Sequence, residues 1–195
     1  MGTFKKYPAW THQVKWGRIV SEPTMNSQWA CWVSDPLPPV SACTDSDWAS
    51  DNSTRQSQSG YFVKLAKGLI SWTSQAQKTI ALSSTEAEYM ALSDCSRQVV
   101  WMHTLLGELG YHLLPIPICG DNQGLIFIAS NPVTEKRSKH IDICYHYIRE
   151  VINRQLVVVY FIDGNDNPAD LLTKNLGSVK FLKFQALLGL EFLKA

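Results

Sequence analysis

The sequence predicts an α/β domain built on one mixed five-stranded sheet with helices packed against it. Strand-forming segments come first and are joined by short connections, whereas the later strands alternate with helical patterns. Short connections favour antiparallel pairing in the first half of the sheet, and helical crossovers favour parallel pairing in the second. Apolar residues make up 45% of the 195-residue chain and charged residues 18%, which is typical of a folded globular domain.

Five segments have the composition of strands. The first is a short run at Val40–Thr44, and the next two, Gly60–Leu65 and Leu69–Thr73, read as a hairpin. A short apolar strand begins at Ile116. The last run, Leu156–Ile162, is continuously apolar, which is typical of a central strand covered on both faces.

The helical patterns carry recognisable end signals. Ser83 and Glu86 have the spacing of a capping box, and they precede a long helix that we expect to end before Gly110. Asn167 followed by Pro168 provides an N-cap and a proline at the first helical position. Two further helical stretches are predicted, one reaching to about residue 130 and one over 139–153.

The composition changes near residue 40. The preceding segment holds four of the seven tryptophans and the turn-rich stretch Ser34–Pro39, whose prolines supply no donors to a sheet. We therefore expect residues 1–40 to be a Trp- and Pro-rich N-terminal extension of unknown role, and residues 41–195 to form the α/β domain.

The net charge and the cysteine content argue against several classes of protein. The net charge of +1 excludes adhesion to nucleic acid or membranes through bulk charge, so a polyanion would need a local patch. The five cysteines form no C-x-x-C pair, which argues against a disulfide scaffold or a zinc ribbon. The chain has neither a signal-peptide pattern nor an apolar run of the roughly 20 residues that span a bilayer. We expect an intracellular protein, in the cytoplasm or nucleus, with no membrane partner.

Three aspartates lie at positions where ligands commonly bind. Asp45 ends the first strand and Asp121 ends the Ile116 strand, and the carboxyl ends of neighbouring parallel strands meet at one edge of a sheet. Asp170 occupies about the third position of the helix that begins after Asn167. The helix dipole stabilises an acid there, so Asp170 by itself also has a purely structural explanation.

Glu88 is more informative because it continues the apolar stripe of the long helix. Ala91, Leu92, Cys95, Val99, Met102 and Leu106 follow it on one helical face, whereas Glu86 points elsewhere. A carboxylate on a buried face costs several kcal/mol unless it is paired or bound to metal. The alternative is that the first helical turn protrudes past the sheet into water.

Together the four carboxylates predict a metal site. Clustered acids repel one another, and divalent ions relieve that repulsion. Oxygen ligands of this kind favour Mg²⁺ or Mn²⁺ over zinc. The chemistry expected of such a site is phosphodiester hydrolysis with two ions about 4 Å apart.

An ordered series of motifs over about residues 41–190 resembles the ribonuclease H domain of copia-type (LTR) retrotransposon polyproteins. The principal motifs are Thr44–Ala49 (TDSDWA), Ala81–Ala91 (ALSSTEAEYMA), Gly120–Gln123 (GDNQ), Lys139–Asp142 (KHID) and Ala169–Lys174 (ADLLTK). The resemblance implies a ribonuclease H-like fold and Mg²⁺-dependent cleavage of the RNA strand of an RNA–DNA hybrid. It also implies that the metal-binding acids are Asp45, Glu88, Asp121 and Asp170. The chain departs from the family pattern at Glu135, where histidine is usual, and at Asn175, where proline is usual.

The resemblance also suggests residues that contact the hybrid. Asn122 and Gln123 match turn residues that touch the minor groove, where 2′-hydroxyls distinguish RNA from DNA, although Gln123 equally suits a helix start. Arg137, Lys139 and His140 belong to a basic cluster that could hold phosphates, and a solvated helix start explains this cluster equally well. We expect the remaining aromatic candidates to be core residues rather than base-stacking platforms, namely Trp48, Trp72 and Trp101.

Two hypotheses of different classes follow. The first is an active metal-dependent ribonuclease H whose partners are the hybrid and a reverse transcriptase domain or a host protein, contacted through residues 1–40. The second is a catalytically idle, captured fold that serves as a protein-interaction module. The presence of all four acids favours the first hypothesis.

Overall fold

The structure is a computed structural model that describes residues 40–66, 68–111, 113–125 and 139–191, with side chains from residue 142 in the last range. The described part contains one sheet, in the strand order β3-β2-β1-β4-β5. The strands are β1 (Val40–Asp47), β2 (Gln58–Leu65), β3 (Gly68–Ala76), β4 (Ile116–Gly120) and β5 (Val157–Phe161).

Strand directions follow the lengths of the connections. β1 pairs with β2 and β2 with β3 in antiparallel fashion, whereas β1 pairs with β4 and β4 with β5 in parallel. This arrangement confirms the predicted mixed sheet, antiparallel in its first half and parallel in its second. Because β1 and β4 are parallel neighbours, their carboxyl ends lie side by side.

The helices described are α1 (Ser84–Glu108), α2 (Lys139–Asn153), a 3₁₀ helix (Pro168–Leu172) and α3 (Ser178–Leu188). Helix α1 begins as predicted, because the Ser83 hydroxyl accepts a hydrogen bond from the Glu86 amide at 3.2 Å. Past its carboxyl end Gly110 has a φ of +88°, a left-handed conformation that favours glycine.

The core lies between the sheet and helices α1 and α2. The whole predicted stripe of α1 is buried, from Glu88 to Leu106, which confirms the periodicity argument. Inward-facing strand residues Ala42, Val63 and Ile118 are at most 1% exposed and pack in the same cluster. Burial of this face is the main apolar stabilisation of the domain.

The last predicted helix is interrupted. Asn167 does cap a helix, since its side-chain oxygen accepts the Ala169 amide at 3.2 Å. That helix is a five-residue 3₁₀ turn, and α3 begins separately after Gly177. Helix α3 is tied to the sheet where the Lys64 ammonium donates to the Leu187 carbonyl at 2.7 Å, and its Phe184 is fully buried.

Two expectations about apolar residues are wrong. Strand β5 lies at the edge of the described sheet rather than at its centre, and Tyr160 in it is 52% exposed. Only Val157 of β5 is buried, so a continuous apolar run does not by itself show that a strand is covered on both faces. The three tryptophans expected in the core are also largely exposed, Trp48 by 48%, Trp72 by 62% and Trp101 by 55%.

Several predictions lie outside the described residues. These are the N-terminal extension up to residue 39, the end of the helical stretch after residue 125, and Arg137. Residues 123–125 are helical, in agreement with the start of that stretch. Among the described ranges, no helix is long and apolar enough to cross a membrane.

The contact between Gly60 and the 3₁₀ helix gives a stability test. A Cβ at Gly60 would lie 2.6 Å from the Leu172 Cβ and 2.8 Å from the Thr173 Cγ2, so Gly60→Ala must push the 3₁₀ helix away from β2. We expect a loss of about 1–3 kcal/mol in the free energy of unfolding, measured by urea denaturation. Gly107→Ala is the matched control, because its Cβ meets nothing within 4 Å and it should stabilise α1 by about 0.5–1 kcal/mol. Equal effects of the two changes would contradict the close packing at Gly60.

Candidate active site

Three aspartates meet at the rim formed by the carboxyl ends of β1 and β4. Asp45 lies in β1, Asp121 directly follows β4, and Asp170 lies in the 3₁₀ helix. One carboxylate oxygen of each lies within 4.8 Å of the others. Asp45 and Asp170 are buried and Asp121 is half-buried. The structure therefore brings together residues that are far apart in sequence, as the strand-end argument predicts.

Asn167 fixes the 3₁₀ helix to the sheet beside Asp45. Its side-chain nitrogen donates to the Thr44 carbonyl at 3.0 Å, while its oxygen caps the helix through the Ala169 amide. Both ends of the amide are thus used, and the side chain is fully buried. This double contact places Asp170 against the end of β1.

Glu88 lies outside the group that meets within 4.8 Å, and it is 6% exposed, so the alternative that it protrudes into water is wrong. Its Oε1 accepts a hydrogen bond from the Ser46 amide at 3.1 Å. Its Oε2 is buried and has no hydrogen-bond partner among the residues that the structure describes. Burial, and then the charges of Asp45 and Asp121, raise the pKa of Glu88 to about 9.

Two lysines enter the carboxylate cluster. The Lys174 ammonium donates to Asp45 Oδ1 at 3.1 Å and to Asp170 Oδ1 at 2.7 Å. The Lys180 ammonium, from α3, donates to Asp170 Oδ2 at 2.6 Å and to the Gly164 carbonyl at 3.1 Å. The Thr173 hydroxyl donates to the second oxygen of Asp45. Every oxygen of Asp45 and Asp170 therefore has a donor.

These donors do not fully offset the negative charge. Burial raises the pKa of Asp45 to about 6, although Lys174 and Thr173 act in the opposite direction. Burial also raises the pKa of Asp121, again against the effect of Lys174. Three aspartates face two ammonium groups, so the site remains short of positive charge even with Glu88 protonated.

The donor set fits a divalent ion. It consists of carboxylate oxygens, which are the ligands that Mg²⁺ and Mn²⁺ prefer. The Oε2 of Glu88 is a further buried carboxyl oxygen without a hydrogen-bond partner among the described residues, and a metal ion that displaces the Glu88 proton would satisfy it. No thiol or imidazole belongs to the group of three.

The residues expected to contact a hybrid are only partly described. Asn122 is half-buried and its Oδ1 accepts the Leu125 amide at 3.1 Å, so it caps the short helical turn there. Gln123 is exposed beside it. Lys139 and His140 lie in the first turn of α2, and their side chains are outside the described part, as is all of Arg137. Their role in binding stays a prediction.

Neither Lys174 nor Lys180 is among the site residues predicted from the sequence. For Lys174 a signal exists, because its spacing of four from Asp170 would place the two on one face of the helix that the sequence predicts there. In the structure Lys174 lies beyond the end of the 3₁₀ helix and still contacts Asp170. Lys180 follows a break between two helices, so no local periodicity relates it to Asp170. Thr173 is likewise brought to Asp45 only by the tertiary fold.

Comparison with known proteins identifies the relatives of this chain. No family model matches the chain. It is 40% identical over 158 residues to the retrovirus-related Pol polyprotein from transposon TNT 1-94 of Nicotiana tabacum. The match covers 81% of the chain and 12% of that polyprotein, so the chain spans only a small part of its curated relative.

Solved structures share the fold at low sequence identity. The LC11 ribonuclease H1, solved in complex with an RNA/DNA hybrid, aligns with a TM-score of 0.51 and 14% identity over 69% of the chain and 93% of that protein. The foamy viral protease-reverse transcriptase, also solved with a hybrid, aligns with a TM-score of 0.52 and 14% identity over 87% of the chain and 23% of that protein. These similarities establish a ribonuclease H fold.

The raised pKa of Glu88 predicts how stability depends on pH. Without metal, the folded protein keeps the Glu88 proton up to about pH 9, whereas an unfolded chain loses it near the ordinary value of 4.5. The free energy of unfolding should therefore fall as the pH rises from 6.5 to 8, with a contribution from Glu88 of about 1.4 kcal/mol per pH unit. Asp45, with a pKa of about 6, titrates mostly below this window.

The measurement is urea denaturation in EDTA at several values of pH. Glu88→Gln should flatten the decline, since the amide carries no proton to lose. Glu108→Gln, an exposed residue at the end of α1, should leave the slope unchanged. Identical slopes for Glu88→Gln and the unmodified protein would show that Glu88 is ionised in the folded state.

Proposed function

We propose that this chain, which is homologous to a segment of the retrovirus-related Pol polyproteins of plant transposons, hydrolyses the RNA strand of RNA–DNA hybrids. Its ribonuclease H fold agrees with this proposal. The observation that carries the proposal is the meeting of Asp45, Asp121 and Asp170 within 4.8 Å at one rim of the sheet, with Glu88 buried and bonded to the amide that follows Asp45. An ordinary stabilising network has no need for so many buried acids in one place.

In this proposal the four carboxylates hold two divalent ions, Mg²⁺ or Mn²⁺. Bound there, the ions would supply an activated water and stabilise the leaving oxygen of the scissile phosphate. Asp45 and Asp121 come from adjacent parallel strands, so the sheet sets the distance between them. Asn167 holds Asp170 in place, and the Ser46 amide orients Glu88.

Two observations bear on an RNA–DNA hybrid as the proposed substrate, namely solved structures of the same fold and the net charge of the chain. Two proteins of the same fold were solved with an RNA/DNA hybrid, although at 14% identity they establish the fold alone. With a net charge of +1, the chain should bind a hybrid weakly and with strong dependence on salt. We propose that the contacts come from Asn122 and Gln123 near the carboxylates and from Arg137, Lys139 and His140 at α2.

The proposed partner is a reverse transcriptase domain. The matched relative is a Pol polyprotein of which the chain spans 12%, and a neighbour in fold is a protease-reverse transcriptase. Such a domain would supply the affinity for the hybrid that a nearly neutral surface does not. Residues 1–40 are the segment that we propose for this contact, or for contact with a host protein.

Replacement of Asp121 tests the function directly. Asp121→Asn should reduce Mg²⁺-dependent cleavage of a labelled hybrid to background, because a ligand oxygen and its charge are lost. Thermal stability should be equal or higher, since burial disfavours the ionised form of Asp121. Glu108→Gln, which likewise removes a carboxylate charge but lies at the exposed carboxyl end of α1, is the matched control and should cleave normally.

The assay should include double-stranded RNA, single-stranded RNA and EDTA. Cleavage of the hybrid alone, and only with metal, is the expected result. Cleavage that persists in Asp121→Asn would refute the assignment of the site. Absence of any metal-dependent product, with a folded protein, would favour the interaction module.

A further inference from the structure

We propose that Lys174 is a built-in counter-ion of the metal-free site, which a divalent ion must displace in order to bind. This inference rests on the proposed metal site and adds a competition between a side chain and the ion. It concerns binding, so it can be tested without any cleavage assay.

The geometry of Lys174 is that of a bridging cation. Its ammonium lies 3.1 Å from Asp45 Oδ1 and 2.7 Å from Asp170 Oδ1, two acids that meet from different elements of the fold. A divalent ion that joins the three aspartates would need oxygens of the same two carboxylates at about 2.1 Å. An ammonium and a divalent ion cannot occupy this space together, because they overlap and repel each other.

Lys180 has a different position although it carries the same charge. It contacts a single acid, through Asp170 Oδ2, and it is also anchored by the Gly164 carbonyl. Its ammonium therefore lies to one side of Asp170 rather than between two acids. Lys180 can stay in place when an ion binds, and it keeps Asp170 oriented.

The Lys174 ammonium can move out of the carboxylate cluster when an ion binds. Its side chain is 35% exposed, whereas the carboxylates that it joins are at most 3% exposed. The charge can therefore move to water by rotation of a flexible stem, while the acids remain fixed by the fold. The metal-free site thus avoids the full repulsion of its acids and still opens for an ion.

Competition from the Lys174 ammonium lowers the apparent affinity of the site for a divalent ion. If the ammonium occupies the bridging position nine tenths of the time, apparent affinity for the ion falls about tenfold. Lys174→Met should therefore raise the affinity for Mg²⁺ by about tenfold, and should lower the melting temperature in EDTA. Lys180→Met removes an equal charge and one hydrogen bond at the same acid while Lys174 keeps its bridging position, so it shows what these two losses do when that position is not vacated.

The experiment is a calorimetric titration of the full chain with MgCl₂, and separately with MnCl₂, at constant ionic strength. Circular dichroism checks the fold of each variant. We expect the order of affinity to be Lys174→Met first, Lys180→Met well below it, and the unmodified protein and Lys174→Arg lowest, because a guanidinium still competes. Lys174→Gln, which is closer in polarity to lysine, serves if the methionine variant is unstable.

The possible outcomes separate this inference from the proposed function. Affinity in Lys174→Met and Lys174→Gln that equals or falls below that of the unmodified protein, or that merely matches Lys180→Met, overturns the displacement and leaves the metal site intact. Binding that is absent from every variant overturns the metal site, and the displacement with it. Loss of the signal in Asp121→Asn shows that the titration reports on this cluster.

Discussion

The repulsion among carboxylates held at one rim of the sheet is the constraint on which the rest of this structure depends. Asp45, Asp121 and Asp170 approach within 4.8 Å in a largely buried place, where each would lower its energy by moving apart. The fold prevents that movement by parallel pairing of β1 with β4 and by the double hydrogen bond of Asn167. Positive charge must therefore come to the acids, from Lys174 and Lys180 in the metal-free protein.

Much of the fold is predictable because it depends on local rules. Ser83 caps α1, Gly110 follows its end, and the buried stripe from Glu88 to Leu106 repeats with the helical period. The place of β5 in the sheet could not be predicted in this way. Its apolar run is compatible with a central or an edge position, and the choice depends on how many strands the rest of the chain supplies.

The acids of the site can be predicted from local sequence patterns, but Lys180 cannot. Glu88 is predictable from sequence because a charged residue on an apolar stripe breaks a local pattern. Asp45 and Asp121 are predictable because they lie near the carboxyl ends of neighbouring strands, Asp45 two residues before the end of β1 and Asp121 directly after β4. Lys180 has no such pattern, since it is separated from Asp170 by the break between the 3₁₀ helix and α3. Tertiary packing alone brings it within 2.6 Å of that carboxylate. Local sequence patterns thus predict the acids of the site, whereas Lys180, which offsets part of their charge, is identified only from the folded structure.

The hydrogen bonds that join Asp45 to Thr173 and Lys174 connect positions 128 and 129 residues apart. Contacts of such long range are slow to form, because the entropy of closing a large loop must be overcome first. During synthesis on the ribosome, the first strand therefore emerges well before the residues that complete its rim. A nascent chain cannot complete the contacts of Asp45 and Asp170 until the segment through Lys180 in α3 has left the exit tunnel, so the acids of the rim stay without their lysine partners until then.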